Sequence, residues 1–349
     1  MQRILVVIDP SSEQQPALER ATWYAKRAGA TLELFICDYD QSLAADPFVD
    51  PASAEKARET LIQDRMSRLK RHARELARQG VEASVDARWD FPLHDGIVRK
   101  AAESGVDLVM KDTHYHTALR RSVFSNTDWS LIRASRRPLW LVKPRAIAER
   151  PRVVAAVDPL HARDAEARLD DEILAAAKAI QAAVHAELHV FHAFDIAAAL
   201  AASGDSMVSP MSLPIAEIAE MLEARHRDAV AALAGRHSID PQNVHVCQGA
   251  TRERLLALTD EMNADLVVMG AVSRSGLRRL FLGSTAEQVL DHLHCDVLVI
   301  NAGGVGLSRS TRRDGSRRAT APAKPEARSA GKHRRVRAES RPPHAARSE

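Results

Sequence analysis

The sequence predicts an α/β protein built as two tandem copies of a five-stranded parallel sheet with helices on both faces. Three observations carry that prediction. The segment 107–127 returns at 265–285, offset by 158 residues with no gap; Asp107-Leu-Val is matched by Asp265-Leu-Val, and Leu119-Arg-Arg by Leu277-Arg-Arg. Each half opens on a short apolar run closed by Asp-Pro, from Ile4 to Asp9-Pro10 and from Val153 to Asp158-Pro159. A continuous β-branched run bounded by turn residues is the pattern of a strand buried on both faces. Such runs alternate with amphipathic helical stretches, which requires parallel strands joined by helical crossovers.

Taken in order, the first strand leads to a helix in which Ala17, Ala21, Tyr24 and Ala25 recur at helical spacing. Ser12-Glu-Gln-Gln15 before it offers a capping box. Its counterpart runs from 170 to 184. Second strands follow at 31–37 and 187–192. Irregular segments at 38–52 and 196–214 lead into long charged helices, about 54–79 and 215–237. Third strands at 83–88 and 244–248 precede helices at 93–104 and 252–263. Fourth strands at 107–110 and 265–269, a loop and helix, and fifth strands at 138–142 and 296–300 complete each half. Crossovers of one hand leave few topologies, and ligands of such sheets sit beyond the carboxyl ends of strands near a switch point.

These elements divide the chain into domains at 1–146 and 150–302, followed by a tail at 303–349. Hydrophobic residues make up 45% of the chain and aromatics only 4%, so the core must be aliphatic. The tail holds 13 Lys or Arg against 4 Asp or Glu; with a chain total of +3, the first 302 residues carry a net −6. With almost no large apolar side chains the tail cannot offset its chain entropy, and disorder is expected. Its arginine clusters would attract polyanions such as nucleic acid by counterion release, but no aromatic is present to stack on bases. A solubilising tail is the plainer reading. Three widely spaced cysteines, no apolar run of membrane length and no leader-like start point to a reduced, cytoplasmic protein without a membrane span.

The run from Gly270 to Thr285 suits an anion. Gly270 lets the backbone leave a strand tightly, and Gly283 lets backbone N–H groups approach a phosphate without a Cβ. Ser284 and Thr285 place hydroxyls at a helix N-terminus, where the dipole favours negative charge. Arg274, Arg278 and Arg279 add positive charge. The same glycines would equally serve turns.

With Asp158 ending a first strand, Gly249 following a third, and the Gly-x2-Ser-x9-Gly-Ser spacing from Gly270 to Ser284, the sequence resembles the universal stress protein family. Its nucleotide-binding members carry Gly-x2-Gly-x9-Gly-Ser/Thr. The tandem arrangement, Asp128-Trp129, Trp140-Leu-Val-Lys143 and the stretch from Thr285 to His292 are similar to the two-domain E-type members. The resemblance covers about 1–301. It implies two Rossmann-like domains paired by a pseudo-two-fold through their last strands, and a stress-response role. It also implies an ATP-type nucleotide, with Mg²⁺ as its companion, in the second domain. By position, Asp158 would contact the adenine or ribose end and Ala193, just after the second strand, would line the adenine pocket. Gly249 belongs to the same motif set, and Gly270, Gly283, Ser284 and Thr285 would hold phosphates. Ser273 stands where the second glycine is expected, and its Cβ would crowd the phosphates or its hydroxyl replace a contact. In the first copy the loop is dismantled: Asp112, Tyr115, Ala118, Ser125 and Asn126 occupy the positions of Gly270, Ser273, Gly276, Gly283 and Ser284. No nucleotide is expected there.

The expected role is binding rather than catalysis, since no Gly-x4-Gly-Lys-Ser/Thr loop is present. A slow nucleotide hydrolase on the same scaffold and a nucleic-acid-associated protein acting through its tail are the alternatives; self-association into a homodimer is compatible with each. His114 and His116 follow a strand, with His94 elsewhere; with no third ligand nearby, the alternating pair reads as a polar loop rather than a metal site. His292 and His294 suit a helix end, and Cys295 the core. Met207 and Met211 suit an adaptable loop.

Overall fold

The computed structural model describes residues 1–44, 50–113, 115–116, 121–122, 125–160, 164–196, 215–271 and 289–301. In the first half the elements run β1 (Arg3–Val7), α1 (Pro16–Ala28), β2 (Thr31–Asp38), a single turn α2 (Gln41–Ala44), α3 (Pro51–Arg78), β3 (Ala83–Trp89), α4 (Leu93–Ser104) and β4 (Leu108–Asp112). A two-residue pair, β5 (Tyr115–His116) and β6 (Arg121–Ser122), precedes α5 (Asn126–Ala134) and β7 (Leu139–Val142). The second half runs β8 (Arg152–Ala156), α6 (Asp164–Val184), β9 (Glu187–Phe194), α7 (Ile215–Arg236), β10 (Val244–Gln248), α8 (Thr251–Glu261), β11 (Leu266–Gly270) and β12 (Asp296–Ile300).

The strands form two five-stranded halves of one ten-stranded sheet, in the order β10-β9-β8-β11-β12-β7-β4-β1-β2-β3. Every neighbouring pair is parallel except β12 and β7, which meet antiparallel where the halves join. The central strands carry near-continuous apolar runs because both faces are covered: Ile4, Leu5, Val6, Leu108 and Met110 are fully buried. On one face α1, α3, α6 and α7 pack over one hydrophobic cluster, and on the other α4, α5 and α8 pack over a second; each cluster draws residues from both halves. Each fully buried Leu, Ile or Val contributes about 1.5–3 kcal/mol.

The repeated aspartates have a structural use. Asp107 accepts the backbone N–H groups of Gln2 and Arg3, and Asp265 those of Ala148 and Arg152, so each pins the start of its half's first strand. Helix ends are repeated too. Gly29, Gly80 and Gly105, which follow α1, α3 and α4, have positive φ; so do His185, Ser238 and Asn263, which follow α6, α7 and α8. The left-handed turn is kept in the second half by residues with a Cβ, at a cost of about 1–2 kcal/mol each where the side chain is not Asn.

The first helix corrects the capping expectation. α1 starts at Pro16 with Gln15 as its N-cap residue and no side-chain cap. Pro16 sets the start through its fixed φ, and Ser12 Oγ donates to Gln14 O instead. The long helix α3 is capped by Asp50, whose carboxylate accepts from Ala52 and Ser53.

At the junction Trp140 pairs with Leu298, its own counterpart at the 158-residue offset. Asp296, completely buried, accepts from Arg20 Nη1 of α1, from Trp140 Nε1 at 2.9 Å and from Lys143 N at 2.9 Å. Arg20 Nη2 also donates to Arg145 O at 2.8 Å. Three further bonds cross the junction in both directions: Asn301 Nδ2 donates to Ile132 O and Ser135 O of the first half, while Lys143 Nζ donates to Leu293 O of the second. Among the described residues no helix is long and apolar enough to cross a membrane.

Candidate functional site at the strand carboxyl ends

The strand order reverses between β8 and β11 in the second half and between β1 and β4 in the first, and these switch points are where doubly wound sheets take ligands. Asp158, Ala193, Gly249 and Gly270 lie at the carboxyl ends of four adjacent strands, β8, β9, β10 and β11. Ser273, Gly283, Ser284 and Thr285 lie outside the described residues, as do the helix start at 286, the methionines 207 and 211, and the tail.

Asp158 donates its backbone N–H to Asp170 Oδ1 at 3.1 Å. Its side chain is 44% exposed and stands 3.9 Å from His192 Nδ1. Ala193 does not follow the second strand. β9 extends to Phe194, and Ala193 lies inside it, opposite Cys247 and packed on the second cluster. Gly249 has φ 129° and donates to Phe194 O at 2.8 Å. A Cβ there would come 2.8 Å from Arg254 Nε, which itself donates to Gln248 O.

Gly270 is the last residue of β11, and its glycine identity has a packing cause. A Cβ there would stand 2.5 Å from Leu169 Cδ2 and 3.1 Å from Leu169 Cγ, both on α6. A side chain there would force Leu169 to shift, with or without a bound anion.

Sequence reasoning missed a histidine pair beside Asp158. His192, 1% exposed, has Nδ1 3.0 Å from Val157 O and Nε2 2.8 Å from Nδ1 of His226 on α7. The His226 ring stacks on Phe194 at 4.6 Å and 12°. Burial, then the charges of His192 and Arg225, hold His226 below the ordinary histidine range, against a pull from Asp158. No spacing in the sequence announces this pair, because it forms only when α7 docks on β9.

The first half presents the same edge closed by its own side chains. Asp9 Oδ1 accepts from both N and Oγ of Ser11. Gln15 Nε2 donates to Asp9 O and Ser12 O, and Arg68 of α3 donates to Pro10 O and Ser12 O. Asp112, at the position of Gly270, is buried and accepts the N–H of Ala17 in the first turn of α1. Behind it Lys111 pairs with the fully buried Asp128 at 2.8 Å, and Asp128 closes a capping box with Ser125.

Burial pushes the Asp112 carboxyl up to about 7, with Asp9 and Glu19 adding to the rise and the Ala17 N–H and Lys111 opposing it. A carboxyl raised on folding keeps its proton in the folded state while the unfolded chain releases it. Stability is therefore lost as pH climbs between about 4 and 7, by roughly 4 kcal/mol at most. Asp112→Asn keeps an acceptor for Ala17. It is expected to raise stability at pH 8 and to flatten the slope over that window in urea unfolding; an unchanged slope would refute this.

Cys295 is buried as expected, and the three cysteines are free thiols. Among the described residues no group of three or more His, Cys, Asp or Glu could hold a metal ion. His292 Nε2 lies 3.0 Å from Arg252 Nη2, and His94 stands 3.5 Å from Asp95.

Comparison with known proteins places these features. The universal stress protein family model matches residues 1–143 and again 150–301. Universal stress protein E of Salmonella typhi is 32% identical over 312 residues, covering 86% of this chain and 94% of the relative. The protein of the same name from Escherichia coli K12 is 31% identical over 312 residues, covering 86% and 93%. Among solved structures, a putative universal stress protein from Pseudomonas aeruginosa UCBPP-PA14 matches with a TM-score of 0.65 at 26% identity, covering 86% of this chain and 93% of that one. A functionally unknown protein from Pseudomonas aeruginosa PAO1 matches at 0.66 and 25%, covering 86% and 92%. Two family matches in tandem, on a sheet whose halves repeat one strand order, mean that the chain belongs to the universal stress protein family.

Proposed function

We propose that the protein is a cytoplasmic stress-response binding protein that takes one ATP-type nucleotide, with Mg²⁺ as its companion, in the second half only. The observation that carries this is the contrast at one position: where the first half seats the buried Asp112 carboxyl against Ala17, the second half has Gly270, backed by the neutral Leu169 and carrying no acidic group. A phosphate entering the first half would meet the Asp112 side chain, an acid that ionises above about pH 7, and a loop tied down by Arg68 and Gln15. In the second half the carboxyl ends carry the partly exposed Asp158, suited to accept ribose hydroxyls. The two halves are related by a local two-fold passing between Trp140 and Leu298. The centred register and the reciprocal bonds of Asn301 and Lys143 support that relation.

Calorimetric titration with Mg-ATP tests the reading. One site per chain is expected, weakened at least tenfold in Asp158→Ala and tightened in Ser273→Gly, with phosphate release at background in the same samples. Two sites, or no heat with either wild type or Ser273→Gly, would overturn it. Phosphate release that falls on changing Gly283 or Ser284 would make the protein a hydrolase.

A further inference from the structure

Beside Asp158 lies a chain of groups whose proton positions are fixed by their partners. Val157 O can only accept, so His192 Nδ1 carries a hydrogen and points it at that carbonyl. In the neutral ring His192 Nε2 is then an acceptor. Its partner 2.8 Å away, His226 Nδ1, must be the donor. That leaves His226 Nε2 as the acceptor of the pair. One added proton goes there without breaking the bond between the rings, and the resulting imidazolium lies against the face of Phe194, a favourable cation–π arrangement. A second proton would set two N–H groups against each other across 2.8 Å and part α7 from β9. The pair therefore accepts one proton and resists another.

The charged and titratable groups around it come from four elements. Asp158 follows β8, His192 lies on β9, Arg225 and His226 lie on α7, and Asp170 of α6 holds the backbone of Asp158. Asp158 favours the charged pair and Arg225 opposes it.

We propose that His192 and His226 form a single-proton relay that positions α7 and links ligand binding at Asp158 to proton uptake. The ligand part of this inference rests on the nucleotide reading above; the relay itself does not. A polyanion arriving beside Asp158 favours the imidazolium. By reciprocity, a proton on the pair tightens binding of the polyanion. His192 and His226 thus act as positioning residues.

Two measurements test the proposal separately. In the ligand-free protein, ¹⁵N–¹H spectra of the histidine rings report tautomer and titration. The Nδ1–H form is expected for both rings at pH 8. Titration of His226 is expected at Nε2, and its midpoint should fall by about 0.5 pH in Asp158→Asn. An Nε2–H tautomer at His192, or a midpoint unmoved in Asp158→Asn, overturns the relay whatever the protein binds. In the second measurement Mg-ATP is titrated at pH 6 and pH 8 into wild type and His226→Gln, which retains a donor toward His192. The ratio of affinities, pH 6 over pH 8, is expected to be about threefold larger in wild type, and proton uptake should be absent in the variant. Equal ratios in two proteins that both bind overturn the linkage. No binding by either, with the ring titrations as expected, leaves the relay standing and defeats the nucleotide reading.

Discussion

Asp296→Ala is expected to cost about 3–5 kcal/mol of folding stability, the range for removing one member of a buried ion pair. Burial raises the Asp296 carboxyl, and the Arg20 guanidinium, the Lys143 N–H and the Trp140 N–H pull it back. With the carboxylate gone, Arg20 stays 5% exposed without its counter-charge, and two more N–H groups lose their acceptor in a site that holds both halves together. Urea unfolding should show a lower midpoint with the slope unchanged. Asp296→Asn, which keeps one acceptor oxygen and no charge and turns its other end into a donor, should fall between the two. Replacing both partners, Arg20→Met with Asp296→Leu, should recover part of the loss. Recovery would be incomplete because Trp140 Nε1 and Lys143 N remain without an acceptor. A loss below about 1 kcal/mol in Asp296→Ala would mean that the network does not hold the halves together.

Gly270→Ala is the second large effect, and it is a packing effect. The added Cβ falls 2.5 Å from a Leu169 methyl, and Leu169, itself 4% exposed, must shift within the core. Overpacking of this kind costs about 1–3 kcal/mol. The cost should largely vanish when Gly270→Ala is made in Leu169→Ala, because the first substitution then fills space the second has opened. Additive losses in the double variant would show that Leu169 is not the obstacle. A glycine with a packing cause is weak evidence for phosphate, so the nucleotide reading stands on Asp158 and on the contrast with Asp112.

Most of the fold was legible because its signals are local. Apolar runs marked the strands, and the 158-residue repeat marked their correspondence. α4 and β10 fall where the pattern put them. What escaped was whatever depends on contacts distant in sequence. The Ser12 box failed because Pro16 starts the helix four residues later. β9 ran on to Phe194 because pairing with β10 continues through Gln248. The role of Asp112 as a filler of its own crevice needs α1 in place. The histidine pair needs α7 on β9, and no spacing of His189, His192 and His226 would have paired the last two rather than the first two.

The antiparallel contact of β7 with β12 is made within one chain, and this has a consequence for how the halves can change. Two identical subunits meeting through such strands carry every substitution twice, and they part on dilution. Halves joined by a short linker meet at an effective concentration set by the tether, in the millimolar range for a short flexible one, whatever the dose of protein. Each substitution is then made once. The first half carries Asp112 where its neighbour carries Gly270, and the tether brings one of each together in every molecule.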